Sequence, residues 1–223
     1  MQNEILLLIE TVFIFSSLLL VKKLFGKYGV IAWVSFAAIL ANIQTAKSVD
    51  MFGVSTVLGN VLFASTFLAT DILSECYGKE ESKKAVYISF FAVILFIISN
   101  QICLLYSPNG IDFANESMNT LFSTTFRISA SSVIMFFIAN MADVILFDKL
   151  KTKFNGKHLW LRNNLSTIVC NCIENFMFMM IAFIGVYEFK EIISIAISTS
   201  IIETIIALCD TPFLYLAKHK TKG

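Results

Sequence analysis

Two prolines, two histidines and nine glycines are few for 223 residues, and only 15% of the chain is charged. So little charge excludes an ordinary soluble domain, because 57% of the residues are hydrophobic and the mean hydropathy is +0.77. Lys and Arg number 17 against 16 Asp and Glu, for a net charge of +1, so there is no basic surface of the breadth that nucleic-acid binding needs. The cysteines, Cys76, Cys103, Cys170, Cys172 and Cys209, are odd in number and form no CxxC pair. They indicate neither a zinc site nor a disulfide framework and read as small apolar helix residues. Both histidines, His158 and His219, fall in basic segments outside the apolar runs, which leaves no histidine for catalysis inside a membrane. GxSxG, Walker and HExxH patterns are absent, and no serine or cysteine has an evident base on a matching face. The chain reads as a non-enzyme that needs no cofactor or metal.

Long apolar runs are abundant. Seven can be bracketed, at 4–21, 28–46, 55–73, 85–105, 128–147, 165–186 and 192–214. Each is long enough to cross a bilayer as a helix, at about 20 residues per crossing. Barrel strands would be about half that length and would alternate strictly. The expected fold is all-α, a polytopic membrane bundle of about seven transmembrane helices in a single domain spanning 1–223. The first run does not read as a cleaved signal, since Lys22, Lys23 and Lys27 follow it and no small-x-small site appears.

Basic residues alternate along the chain. Three lie at 22–27, three at 79–84, five at 149–162 and three at 218–222, whereas the intervening connections hold only Lys47, Arg127 and Lys190. The positive-inside rule then places the N-terminus outside and the C-terminus in the cytoplasm. The longest outer connection opens with the turn sequence SPNG at 107–110. Its second half, 115–126, is mildly amphipathic and fits either a short interfacial helix or a loop.

Six acids lie within the runs: Glu10, Asp71, Asp143, Glu174, Glu203 and Asp210. Each costs about 2.5 to 3.5 kcal/mol at mid-bilayer unless it faces the bundle interior, pairs or takes a proton. Helical spacing aligns them with amides and small residues. Asn60, Ala64, Phe67, Asp71 and Glu75 share one face of the third run, and Ser129, Ser132, Phe136, Asn140 and Asp143 one face of the fifth. The sixth carries Asn164, Asn171, Glu174, Asn175 and Phe178, and the seventh Ser200, Glu203, Ala207 and Asp210. Four such faces can enclose a planar, hydrogen-bonding solute near the midplane. The fourth run is apolar and is expected to face lipid. For any one Asn or Ser the plain reading is a contact between helices, worth about 0.6 kcal/mol. Glu10 and Asp210, nearer the ends of their runs, are expected to snorkel or pair locally, and Arg127 to anchor at the interface. Asp71, Asp143 and Glu174 are the acids expected to act on a solute.

The stretch LGNVLFASTFLATDILSECYGKEESKK at 58–84 resembles the queuosine precursor transporter family, also called the VUT or YhhQ family, with FLATDILSECYG its most specific part. ANIQTAK at 41–47, FRISASSVIMFFIANMADVILFDKLK at 126–151, STIVCNCIENFMFMMIAF at 166–183 and CDTPFLYLAK at 209–218 resemble it in the same order. The first run looks like an extension of a six-helix family core. The resemblance implies a multi-pass protein of a prokaryotic inner membrane. Its cargo would be a 7-deazaguanine base for tRNA modification: 7-cyano-7-deazaguanine, 7-aminomethyl-7-deazaguanine or queuine. It would use no ATPase partner, and a homodimer is compatible with it. The implied substrate contacts are Asp71, Asp143, Asn171 and Glu174, with Gln44, Asn60, Asn140 and Glu203 added from the shared faces. A carboxylate can accept two adjacent donors of a guanine-like edge, and an amide can donate to its carbonyl. In one departure, family members often carry a lysine seven residues before the DTP motif where this chain has Glu203, which favours a cationic 7-substituent. The alternative is a vitamin-binding subunit of an energy-coupling-factor importer, which would need an associated ATPase.

Overall fold

The computed structural model describes residues 2–122, 126–185 and 187–219. Seven helices and one small hairpin follow in the order α1 (Gln2–Gln44), β1 (Ser48–Met51), β2 (Val54–Val57), α2 (Asn60–Cys76), α3 (Lys79–Leu104), α4 (Asn115–Phe122), α5 (Phe126–Lys153), α6 (Leu159–Phe183) and α7 (Phe189–His219). Five of them, α1, α3, α5, α6 and α7, are long and apolar enough to cross a bilayer. At 43 residues α1 would run about 65 Å as a straight rod, twice a bilayer core of about 30 Å. Gly26 breaks it with φ 59 and ψ −142, a backbone conformation that costs glycine little. The two arms fold back on each other, so the start of the first meets the hairpin that follows the second. There Asn3 Nδ2 donates to the Asp50 carbonyl at 2.8 Å, and Phe52 N–H donates to Glu4 Oε1 at 3.1 Å. The first two expected runs are thus the two arms of α1.

The third run starts later than expected. Residues 55–57 belong to β2, paired antiparallel with β1 so that Met51 faces Val54 across a two-residue turn. Phe52 and Gly53 both have positive φ, 54 and 78, the geometry that closes tight hairpins with the right twist. The helix begins only at Asn60, after Gly59 with φ 98. A side chain at Gly59 would meet the Ala41 carbonyl at 2.8 Å, so glycine lets α2 start directly against the second arm of α1. The bundle is therefore all-α apart from one hairpin at its end. The amphipathic half of the long connection forms the helix α4. The side chains of Arg127, Ser129 and His219 lie outside the described residues.

The seventeen-residue helix α2 is the axis of the molecule. From Asn60 to Ser74 every residue except Phe63 is buried, because α1, α3, α5 and α7 all pack around it. Its polar side chains therefore meet protein rather than lipid. On α3 the buried positions are Ser82, Ala85, Val86, Ser89 and Val93, while Tyr87, Phe91, Leu95, Ile98 and Ile102 point outward, as expected of the lipid-facing run.

The four basic segments meet at one end of the bundle. Lys27 pairs with Glu81 at 3.3 Å and Lys79 with Asp148 at 2.9 Å, while Lys151, Arg162 and Lys218 all reach Glu75. The hairpin and the N-terminal arm's start lie at the other end. The positive-inside rule expects the basic end in the cytoplasm; a cysteine at position 157 in a cysteine-free background should then be protected from an impermeant thiol reagent in intact cells, and one at position 112 labelled. Labelling of position 157 from outside would invert the orientation.

Candidate functional site

Polar side chains line the interior in layers. At the basic end Glu75 stands past the apolar part of α2 and receives Arg162 at 3.1 Å, Lys151 at 3.1 Å and Lys218 at 2.6 Å, which ties α2 to α6, α5 and α7. Its side chain is 4% exposed and that of Arg162 is 0%. Burial works against the Glu75 charge, but hydrogen bonds from Arg162, Lys218 and Lys151 outweigh it and bring the carboxyl down to about 2. Arg162 also donates to the Gly156 and Lys157 carbonyls and lies over the Phe147 ring. Lys151 additionally donates to the Ser74 and Glu75 carbonyls, completing the C-terminal turn of α2 where the helix dipole favours cations.

One or two turns inward lie Asp71 on α2, Asp143 on α5 and Asp210 on α7, all 0% exposed. Asp143, Asp210 and Arg162 are the charged neighbours of Asp71, whose two carboxyl oxygens have no hydrogen-bond partner. Thr167 donates to Asp143 Oδ1 at 3.5 Å, and Asn163 Nδ2 donates to Asp210 Oδ1. Pro212 follows two residues after Asp210 inside α7, and its ring removes the backbone N–H that would bond four residues back. Thr211 Oγ1 accepts from Asn164 Nδ2 at 2.8 Å, so α6 amides hold the DTP turn from the side.

The next layer holds amides. Asn140 Oδ1 accepts from Thr66 at 3.2 Å while its Nδ2 donates to the Phe136 carbonyl. Asn171, 1% exposed, has neither its Nδ2 nor its Oδ1 partnered. Beyond it Glu174 and Glu203 face one another from α6 and α7, 9% and 4% exposed. Asn175 Nδ2 bridges to Glu203 Oε2 at 2.7 Å and to Ser200 Oγ at 3.3 Å, whereas Glu174 Oε2 has no hydrogen-bond partner. By helical rise, seven residues put Glu203 about 10 Å from the Asp210 layer. Nearest the hairpin, Asn60 Nδ2 donates to Thr56 Oγ1 at 3.4 Å, and Asn60 and Glu10 line a small recess with Leu7, Met51 and Leu58. The Gln44 Oε1 atom is buried without a partner at the end of α1.

The eight residues singled out from sequence all turn inward, but they do not meet in one chamber. Asp71 meets Asp143, Glu174 meets Glu203, Asn140 and Asn171 occupy the level between, and Asn60 and Gln44 sit at the hairpin end. They lie at successive levels along the bundle. Of the two expectations for Asp210, to snorkel or to pair locally, the structure shows the second: it is fully buried, accepts from Asn163 of α6, and lies in the layer of Asp71 and Asp143. Glu203, added to the candidate contacts from its helix face, accepts a hydrogen bond from the amide of Asn175. Sequence reading missed Asn163 and the convergence on Glu75; the four-residue step from Asp71 to Glu75 was the available signal.

A helical bundle with apolar outer faces and carboxyls and amides along its interior is the architecture of a multi-pass membrane transporter. Residues 57–217 match the family model described as "Putative vitamin uptake transporter". The chain is 35% identical over 205 residues to the "Probable queuosine precursor transporter" of Bacillus subtilis, covering 92% of this chain and 90% of that protein. It is 27% identical over 132 residues, 59% of this chain and 54% of the relative, to a protein of the same description from Haemophilus influenzae. No solved structure matches the chain significantly. The chain belongs to the queuosine precursor transporter family, as its motifs indicated.

The Glu75 cluster generates a stability prediction. Glu75→Ala leaves Arg162 buried without its carboxylate and lowers stability by about 3 kcal/mol, read as a lower midpoint of thermal unfolding in detergent. The depressed carboxyl contributes stability that is fully present above its ordinary value and is lost only as pH falls toward about 2. The difference between wild type and variant is therefore constant from pH 5 to 8, at about the same 3 kcal/mol. A difference that shrinks within that window would contradict this role for Glu75.

Proposed function

We propose that the chain imports a 7-deazaguanine precursor of queuosine across a prokaryotic inner membrane, with its N-terminus outside and its C-terminus in the cytoplasm. The observation that carries this reading is the similarity over 92% of the chain to a protein described as a queuosine precursor transporter. The layered interior supports it. A guanine-like edge presents adjacent N–H donors that suit a carboxylate, and a carbonyl that suits an amide N–H. Glu174 with its unpartnered Oε2 and Asn171 with its unpartnered amide supply both, one helical turn apart on α6. In this reading Glu174, Glu203, Asn171 and Asn140 hold the base, Gln44 and Asn60 line the approach from the hairpin end, and Asp71 and Asp143 lie on the inward side. Movement of the base needs no ATPase partner. The same similarity supports a transporter of this kind over a vitamin-binding subunit of an energy-coupling-factor importer.

Glu203 and Glu174 place two buried carboxyls on the facing helices α7 and α6, which favours an amine on the 7-substituent. In cells lacking queuosine synthesis and expressing the chain, labelled 7-cyano-7-deazaguanine, 7-aminomethyl-7-deazaguanine and queuine should include at least one imported base. Glu174→Gln should abolish uptake of all three. Glu203→Gln should reduce uptake of the amine-bearing bases about tenfold more than that of the 7-cyano base, because a charge-assisted hydrogen bond exceeds a neutral one by about 1.4 kcal/mol. No uptake of any base by wild type would remove the substrate assignment. Equal losses across bases in Glu203→Gln would remove the selectivity claim alone.

A further inference from the structure

The inward layer has more acceptors than donors. Asp71 Oδ1 and Oδ2, Asp143 Oδ2, Asp210 Oδ2 and Asn163 Oδ1 are buried acceptor atoms without hydrogen-bond partners. The donors that reach this layer are the Thr167 and Ser166 hydroxyls on Asp143 and the Asn163 amide and Thr211 hydroxyl on Asp210, and none of them reaches Asp71. The charges that act on Asp71 are Asp143 from α5, Arg162 from α6 and Asp210 from α7. Arg162 is already held by Glu75 at 3.1 Å and by two carbonyls. From α1, Lys22 is taken up by the Ala217 carbonyl and the Tyr77 ring, and from α3, Lys79 by Asp148. Three carboxyls on three helices thus share a space that the bundle does not neutralise. Asn163, itself fully buried, gives its Nδ2 to Asp210 and leaves its Oδ1 as a further unpartnered acceptor.

We propose that the Asp71–Asp143 pair is the site of a transported proton, with Asp210 as the third carboxyl of the same site, so that this chain moves its solute together with H+. A proton is the smallest group that closes two facing carboxyls: it forms an O–H bond to one oxygen and is donated to the other. It arrives from water on the hairpin side as an O–H bond of hydronium breaks, and it leaves to water on the basic side, so no other reactant is consumed. Glu174 and Glu203 stand about 10 Å away toward the hairpin end. Proton and base therefore occupy different layers. Neutralising the carboxyls also removes their pull on Arg162, which leaves the guanidinium to Glu75 and favours the closed basic end. The solute side of this proposal rests on the reading given under Proposed function, whereas the proton site does not.

Two arms test it on the full chain in proteoliposomes. Infrared titration without any base should show a protonated-carboxyl band that Asp71→Asn and Asp143→Asn each remove and Glu203→Gln leaves. With labelled base, an inward proton gradient should raise accumulation in wild type, and the gradient effect should be lost in Asp71→Asn. A band unaffected by both variants, accumulation indifferent to the proton gradient, or accumulation driven by sodium would each overturn the proposal. Failure of wild type to transport any of the three bases would overturn the substrate reading, and the infrared arm would still judge the proton site.

Discussion

Every feature of the interior follows from the need to keep carboxyls out of hydrocarbon. A charged side chain in lipid is costly enough that a bundle with six intramembrane acids must supply its own polar medium. It does so by enclosing α2. That helix brings Asp71 and Glu75 one turn apart into the centre of the molecule, with α1, α3, α5 and α7 packed around it. Apolar residues such as Leu68, Ile72 and Leu73 secure the helix within this sheath, all fully buried. Adaptations elsewhere serve the enclosure. Gly26 folds α1 into two arms that wrap it, and Gly59 allows close contact where α2 begins.

The two ends of the bundle are built differently. At the basic end one carboxylate gathers three cations from three helices, a dense ionic closure. The other end is covered by a hairpin of two four-residue strands, tied to the N-terminal arm by the Asn3–Asp50 and Phe52–Glu4 hydrogen bonds. Ion pairs among buried partners are hard to break one at a time because each break leaves a charge without compensation. The hairpin contacts are exposed and individually weak.

Much of this was legible in the chain. Apolar run length identified the crossings, and four-residue steps identified the inward faces of α2, α5, α6 and α7, because both depend on helix geometry alone. The hairpin at 48–57 was hidden because its alternation is short and adjoins a long apolar run. The depth of Asp210 was hidden for a similar reason: distance from a helix end does not measure depth when a neighbouring helix supplies Asn163. The layering also could not be read, since periodicity specifies a face and not the vertical offset between helices. FLATDILSECYG carried the family, and within it Asp71 and Glu75 turn out to belong to two adjoining layers with different partners.

In the proposed reading a purine-like base is held between α6 and α7, on the hairpin side of Asp71 and Asp143. An experimental structure of the chain with 7-cyano-7-deazaguanine or its aminomethyl counterpart bound tests it most directly. The account predicts the base edge on Glu174, its carbonyl toward the Asn171 or Asn140 amide, and its 7-substituent toward Glu203. A base bound instead in the recess beside Glu10 and Asn60, with Glu174 still unpartnered, would contradict it.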